Sequence, residues 1–499
     1  MWWLFLHACL GEPERAKVDS DSAAALSDSD TGPGVTDPDG DGDGVPGSAD
    51  CDDADPAIHP EAEERCDSID NNCDGAVDDQ FGEVAEPLVG PLIFEGTPGS
   101  FGSAVQAVPD LDQDFVSEWL VADPELAEIS VFEVVFEAQT VRSSETQLLV
   151  GVSASRAGET LVDLGWTNSL FEQRRVAIGA PQNNGGEGAV YVLEAFDGFT
   201  IDLTVDAFAV TGSDPLAALG TAFAGPADFN GDGTGDLVVS APGSGVIYVD
   251  YDTGFTSSAA DIARQVDVGA QHECGAALAA GDHYNDNGYP WLAIGCPGYD
   301  ERDGDEGAVW VFSGGSLLSA PYVVDLVQID AVRISSAEAG AAFGSTMVQN
   351  PGGSAADLVV GAPGADGGAG RVYSIDLSGV RAAGMPSSLL LSDAVYRWDG
   401  PADSAFGGAV DGNVDVDRDG LGELVSASGG SPCPAGLVWL LPGAGADARS
   451  LPGGGARSFA TGDPDFGASV GIWMDPWSDT TALIGAAPSA GKVYVFSPG

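Results

Sequence analysis

The sequence predicts an all-β fold, a seven-bladed β-propeller, and three observations carry that prediction. Short apolar runs rich in β-branched residues recur from about residue 88 onward, with no helical periodicity between them. Two signals repeat along the same stretch: Phe-Gly followed about twenty residues later by Gly-Ala-Pro, and a strand with an aromatic side chain in a fixed slot. Each occurs seven times, in units of roughly 50 to 70 residues, a length that suits the four short strands of one blade.

Taken in order, the chain begins with Met1-Trp2-Trp3-Leu4-Phe5-Leu6-His7-Ala8-Cys9, an apolar run too short to span a bilayer. Leu6-His7-Ala8-Cys9 resembles a bacterial lipobox, so residues 1–9 are expected to be an export leader with Cys9 as the lipidated residue. Residues 10–36 are rich in Ser, Asp, Gly, Pro and Ala, with few large apolar side chains. Such a segment cannot offset its ordering entropy and is expected to be a disordered acidic linker.

Residues 37–80 form an Asp- and Cys-rich stretch. Asp39, Asp41, Asp43 and Asp50 stand at positions 1, 3, 5 and 12 of a loop with Gly44 at position 6, the EF-hand loop spacing without flanking helices. Asp70, Asn72, Asp74 and Asp78 repeat a related spacing, with Gly75 at its turn. Asp50-Cys51-Asp52-Asp53-Ala54-Asp55-Pro56 and Cys66-Asp67-Ser68-Ile69-Asp70-Asn71-Asn72-Cys73-Asp74-Gly75 resemble a short metal-binding motif of bacterial surface proteins, a family sometimes labelled copper-binding. The donors themselves favour calcium. Carboxylates and amides are hard ligands, copper prefers His, Met or thiolate, and only His59 is at hand.

The repeats follow over residues 88–499. Phe-Gly equivalents are read at Phe101-Gly102, Val150-Gly151, Leu219-Gly220, Cys274-Gly275, Phe343-Gly344, Phe406-Gly407 and Phe466-Gly467. The aromatic slots are Phe132, Tyr191, Tyr248, Trp310, Tyr373, Trp439 and Tyr494, whose fixed place makes packing between blades their expected role. Trp291, Trp398, Trp473 and Trp477 fall outside that register and are expected on an exposed face. Residues 88–96 resemble the outer-strand segments of other repeats and are expected to complete the last blade, which removes an open sheet edge.

One loop inside these repeats carries chemistry. Asp228, Asn230, Asp232 and Asp236 occupy positions 1, 3, 5 and 9, Gly233 supplies the turn, and the Thr234 carbonyl can join them. Alternate oxygen donors converging on one point suit Ca2+. A short strand, Leu237 to Val239, leads from the loop into Ser240-Ala241-Pro242.

Residues 88–499 resemble the FG-GAP repeats of integrin α-subunit heads and of many bacterial secreted proteins. The resemblance implies a seven-bladed propeller with calcium in the loops of some blades. Position by position it implies a second metal loop at Asp415, Asp417, Asp419, the Leu421 carbonyl and Glu423. It implies a third at Asp110, Asp112, Asp114 and Glu118, where Phe115 replaces the turn glycine. The blade-4 equivalents, His283, Asn285, Asn287 and Trp291, carry no carboxylate in register and are expected to bind nothing.

Seven cysteines fit an exported protein. Cys274 and Cys296 share one repeat and are expected to pair, while the partners of Cys51, Cys66, Cys73 and Cys433 stay open. A formal net charge of -61 excludes nucleic acid and anionic membrane as partners, so membrane contact is expected only through the lipid anchor. No catalytic set is found: Gly467-Ala468-Ser469-Val470-Gly471 matches a nucleophile pattern but lies in a repeat strand, not at a strand-to-helix turn. The reading is a monomeric, calcium-binding recognition or adhesion protein of the cell surface, calcium being structural and the ligand an extracellular protein or glycan. An extracellular hydrolase or lyase on the propeller, or a structural envelope component, are the alternatives.

Overall fold

A computed structural model of the chain describes residues 39–42, 44–60, 62, 72–73, 85–87 and 91–497. The last range omits 110, 112–115, 134–139, 144–146, 167–173, 195–199, 252–257, 263, 282–288, 301–303, 320–321, 350–357, 378–387, 391–394, 402–403, 417, 419–421, 429–435, 443–448, 451–455, 462, 464 and 475–480. Two compact units are present, Met1–Pro60 and Glu61–Gly499. Their boundary falls inside the stretch 37–80 that the sequence suggests is one motif. Among the described residues of the first unit, 39–42 and 44–60, turns follow one another without helix or strand, and Ile58 is buried.

The second unit is all-β, seven sheets in a propeller. The innermost strands are Val105–Val108, Thr160–Trp166, Phe223–Ala227, Ala277–Gly281, Thr346–Gln349, Ala409–Val414 and Val470–Met474, and each touches the next around a closed ring. Every blade continues outward through antiparallel second, third and fourth strands. Leu92–Glu95 supplies the fourth strand of blade 7, pairing Leu92 with Val495 and Glu95 with Lys492.

Seven apolar clusters hold the ring together, one at each interface between neighbouring blades. The slot aromatics lie in them: Tyr191 between blades 1 and 2, Tyr373 between 4 and 5, Trp439 between 5 and 6. The Phe of Phe-Gly meets the slot aromatic edge-on, as in Phe343 with Tyr373 (5.5 Å) and Phe466 with Tyr494 (5.6 Å). Trp291 and Trp398 are 1% and 2% exposed, which corrects the expectation of an exposed face. Trp291 opens a second strand inside a blade, and Trp398 packs between blades 5 and 6. Trp473 is partly buried beside the axis, and Trp477 lies outside the described residues.

The repeat signals have a common mechanical meaning. In all seven blades the Gly of Phe-Gly has φ between +88° and +95°, a region closed to residues with a Cβ except under strain. Its N–H donates to a carbonyl near the end of the second strand at 2.8 to 3.2 Å. In blade 2 the residues doing this are Ala157-Gly158, not Val150-Gly151. Val150 instead ends the fourth strand of blade 1, and Gly151 begins the connection between the blades. The Gly of Gly-Ala-Pro has a different reason. A Cβ on Gly179, Gly295 or Gly361 would lie 2.1, 2.2 or 2.0 Å from the carbonyl oxygen of Gly220, Gly344 or Gly407 in the next blade. In blade 4, where Cys replaces Phe, a Cys274–Cys296 disulfide bridges the Cys-Gly position to the second strand.

Beyond the four-stranded blade, each outer strand except that of blade 2 is covered by a fifth, parallel strand. It comes from the connection between third and fourth strands of the following blade or, for blade 6, from the segment just before the fourth strand of blade 7. Thr200–Asp202 lies on blade 1, Val323–Asp325 on blade 3, Ser388–Leu390 on blade 4, Arg449–Ser450 on blade 5 and Thr140–Arg142 on blade 7. Ala85–Pro87 does the same for blade 6, and blade 2 shows a single parallel bridge, Thr211 to Ser258. Ile201 and Val324 sit buried at the centres of two of these straps.

Candidate metal-binding loops

The Asp228–Asp236 loop joins the innermost and second strands of blade 3. Phe229, at position 2, is fully buried in the core between blades 3 and 4 and anchors the loop. Its N–H donates to Asp236 Oδ2 at 2.7 Å. Asp228 then accepts from the amides of Gly231 (2.6 Å), Asp232 (3.1 Å) and Gly233 (2.7 Å), and Asp232 Oδ1 accepts from the Thr234 amide at 2.8 Å. Gly231 and Gly233 have φ of +80° and +89° with nothing near where a Cβ would stand, so conformation alone asks for glycine there.

Asp236 is the unusual member. It is 2% exposed, and its Oδ1 is buried with no hydrogen-bond partner. Burial, added to by the charges of Asp232 and Asp228, pushes its carboxyl up to about 7. Asp232, on the open side of the loop, is held below the usual range by its bond from the Thr234 hydroxyl. The loop therefore gathers negative charge beside one unsatisfied buried oxygen, and the side chains of Asp228, Asn230, Asp232 and Asp236 offer oxygen ligands. That donor set fits a hard cation.

Blades 1 and 6 reproduce the anchor. The Leu111 N–H donates to Glu118 Oε2 and the Val416 N–H to Glu423 Oε2, both at 2.5 Å. Glu118 and Glu423 are 2% and 4% exposed, and each opens a second strand as Asp236 does. Leu111 is buried in the core between blades 1 and 2, and Val416 packs against the one between blades 6 and 7. Asp415 is partly buried at its loop's first position. Asp110, Asp112, Asp114, Asp417, Asp419 and Leu421 lie outside the described residues, as do His283, Asn285 and Asn287 of blade 4.

In the first unit, Asp39 accepts from the amides of Gly42 (2.6 Å) and Gly44 (3.1 Å). Asp50 Oδ1 accepts from the Asp52 amide at 3.0 Å, and its Oδ2 is buried without a hydrogen-bond partner. Asp53, which the spacing did not single out, accepts from the Gly40 amide at 2.6 Å, and a Cβ on Gly40 or Gly47 would strike it. Cys51 is in a disulfide. Asp43, Asp70, Asp74, Asp78 and Cys9 lie outside the described residues; Asp41 and Asn72 lie within them, Asn72 partly buried.

Among the described residues, no three His, Cys, Asp or Glu side chains are drawn into one metal-holding group. The acidic side chains of blade 3 turn instead to the amides of their own loop. Sequence reading missed the apolar position 2 of each loop, although the alternation Asp-Leu-Asp, Asp-Phe-Asn and Asp-Val-Asp displays it.

The FG-GAP repeat family matches residues 219–257, the stretch that holds the blade-3 loop. The Cu-binding MopE metal-binding motif matches residues 50–79. Both families are typical of extracellular or surface proteins. No curated protein matches the chain.

Proposed function

We propose that this chain, an FG-GAP propeller preceded by a surface-protein metal-binding motif, is a calcium-dependent recognition or adhesion protein of the cell surface without catalytic activity of its own. The buried, unpartnered Oδ1 of Asp236 is the observation that carries the calcium reading. Asp228, Asn230, Asp232, Asp236 and the Thr234 carbonyl would hold the ion in blade 3. Asp415 and Glu423, with Asp417, Asp419 and Leu421, would do so in blade 6, and Glu118 with Asp110, Asp112 and Asp114 in blade 1. Calcium there is structural: it supplies the positive charge that the inward-facing carboxylates lack. The first unit, with Asp39 and Asp50, would add further sites.

Export, with Cys9 as a lipid anchor, places the propeller outside the cell, where a net charge of -61 meets abundant cations. The ligand is an extracellular protein or glycan. Chelation tests the metal reading. Calcium measured in the purified protein should be stoichiometric with the loops, and EDTA should lower the melting temperature by at least about 5 °C. A calcium-free protein whose melting is indifferent to EDTA would refute it. Screening the calcium-loaded protein against glycans and envelope components, with turnover followed on the same panel, separates a binder from a hydrolase or lyase.

A further inference from the structure

The inner strands enclose a channel on the propeller axis of about 540 Å3. Asp163 of blade 2 and Asp411 of blade 6 both line it, each beside a β-bulge of its strand. Asp163 accepts the Gly165 amide at 2.9 Å, and Asp411 Oδ1 accepts the Gly412 amide at 2.8 Å. They differ in counter-charge. Arg174 grips Asp163, its Nε 2.9 and 3.1 Å from the two carboxylate oxygens. Asp411 receives a second amide, Ile472 N–H at 2.9 Å on Oδ2, and has no ion pair among the described residues. Burial pushes its carboxyl up to about 6 against the pull of those two amides. The neighbouring inner strands, Thr346–Gln349 and Val470–Met474, carry no titratable side chain. On the second strand of its own blade, Glu423 is engaged by the Val416 amide.

The described lining of the channel holds no Lys or Arg, so a carboxylate fixed there by two amides can receive a cation from solution. We propose that the axial channel binds a small organic cation, a protonated amine, whose ammonium group meets Asp411. A metal ion fits less well. One uncompensated carboxylate with the carboxamides Gln106 and Gln349 falls short of the anionic oxygens calcium needs, whereas a single ammonium group asks for one carboxylate and a few neutral acceptors, with Trp473 at the wall. The site is separate from the metal loops and does not depend on the calcium reading.

Calorimetric titration of the full-length, calcium-loaded protein with n-butylammonium chloride tests this, with butan-1-ol and butyrate as neutral and anionic controls. Butylammonium should bind saturably, with the controls at least about tenfold weaker. Asp411→Asn, which can still accept the Ile472 amide, should weaken binding by about tenfold or more, as should moving the native protein from about pH 8 to about pH 5, while the Asn variant is insensitive to that change. Gln106→Glu, a second carboxylate in the channel, should tighten it. Butyrate binding as well as butylammonium, undiminished binding by Asp411→Asn, or no saturable binding by native protein and Gln106→Glu alike would overturn the proposal. Should Asp411→Asn not fold, the sign of the Gln106→Glu effect decides.

Discussion

At the scale of single residues, Asp236 sets a conflict between folding and charge. Its carboxyl titrates near 7 when folded, against about 4 in an unfolded chain, so without metal its contribution is fully present below about pH 4 and is lost as pH rises through 7. The penalty amounts to at most about 4 kcal/mol above that range. A bound cation cancels it. In EDTA, Asp236→Asn should therefore raise the melting temperature at pH 8 and change it little at pH 4, while the same variant should lose much of the calcium-induced stabilisation. Melting curves over pH 4–8 with and without calcium check both; an Asn variant that destabilises the chelated protein at pH 8 contradicts the account. The position was legible in the sequence because ligand spacing is a local property. That Asp236 is buried was not, since burial comes from the strands around it, and Phe229 reveals itself as an anchor only once blade 4 packs against blade 3.

At the scale of the element, the seven blades explain why two kinds of glycine recur. Gly361 is excluded from bearing a side chain by the Gly407 carbonyl of the next blade, 2.0 Å from where its Cβ would be. Gly367, in a turn at φ +69°, has open space around it. Gly361→Ala should cost about 3 kcal/mol or more through a forced shift at the blade interface, and Gly367→Ala only about 1 kcal/mol of backbone strain. Equilibrium denaturation of both variants compares them, and equal costs would mean that the interface can yield. The aromatic slots and six of the seven Phe-Gly positions were readable because each repeat restates them. In blade 2, Val150-Gly151 imitates the signal while Ala157-Gly158 performs the role: Ala157 has too small a side chain to stand out, although its distance of about twenty residues from Gly179-Ala180-Pro181 marks it. The straps escaped notice for a related reason. Three residues such as Thr200-Ile201-Asp202 are too short for a periodic pattern, and their strand character is conferred by the outer strand of the preceding blade.

At the scale of the whole molecule, the straps change what closing the ring involves. An outer strand is an exposed edge, and covering it with a parallel segment from the next blade ties neighbours together beyond the core between them. The segment before blade 1 enters this scheme three times. Ala85–Pro87 straps blade 6, Leu92–Glu95 completes blade 7, and Thr140–Arg142 of blade 1 then lies on Leu92–Glu95. Phe94 is fully buried and stacks on Phe132 at 4.0 Å, so the closure also fills the core between blades 7 and 1. Removing residues 1–84 should leave the propeller's melting within about 2 °C of the full chain, because the closing strands remain. Removing residues 1–96 uncovers Lys492–Phe496 and the outer strand of blade 6 together, and should lower the melting temperature by about 10 °C or more or drive association through the bared edges. Differential scanning calorimetry with light scattering on the two truncations reads both outcomes. A propeller that melts normally without residues 85–96 would mean that the interblade cores alone hold the ring, and that the straps only shield its rim.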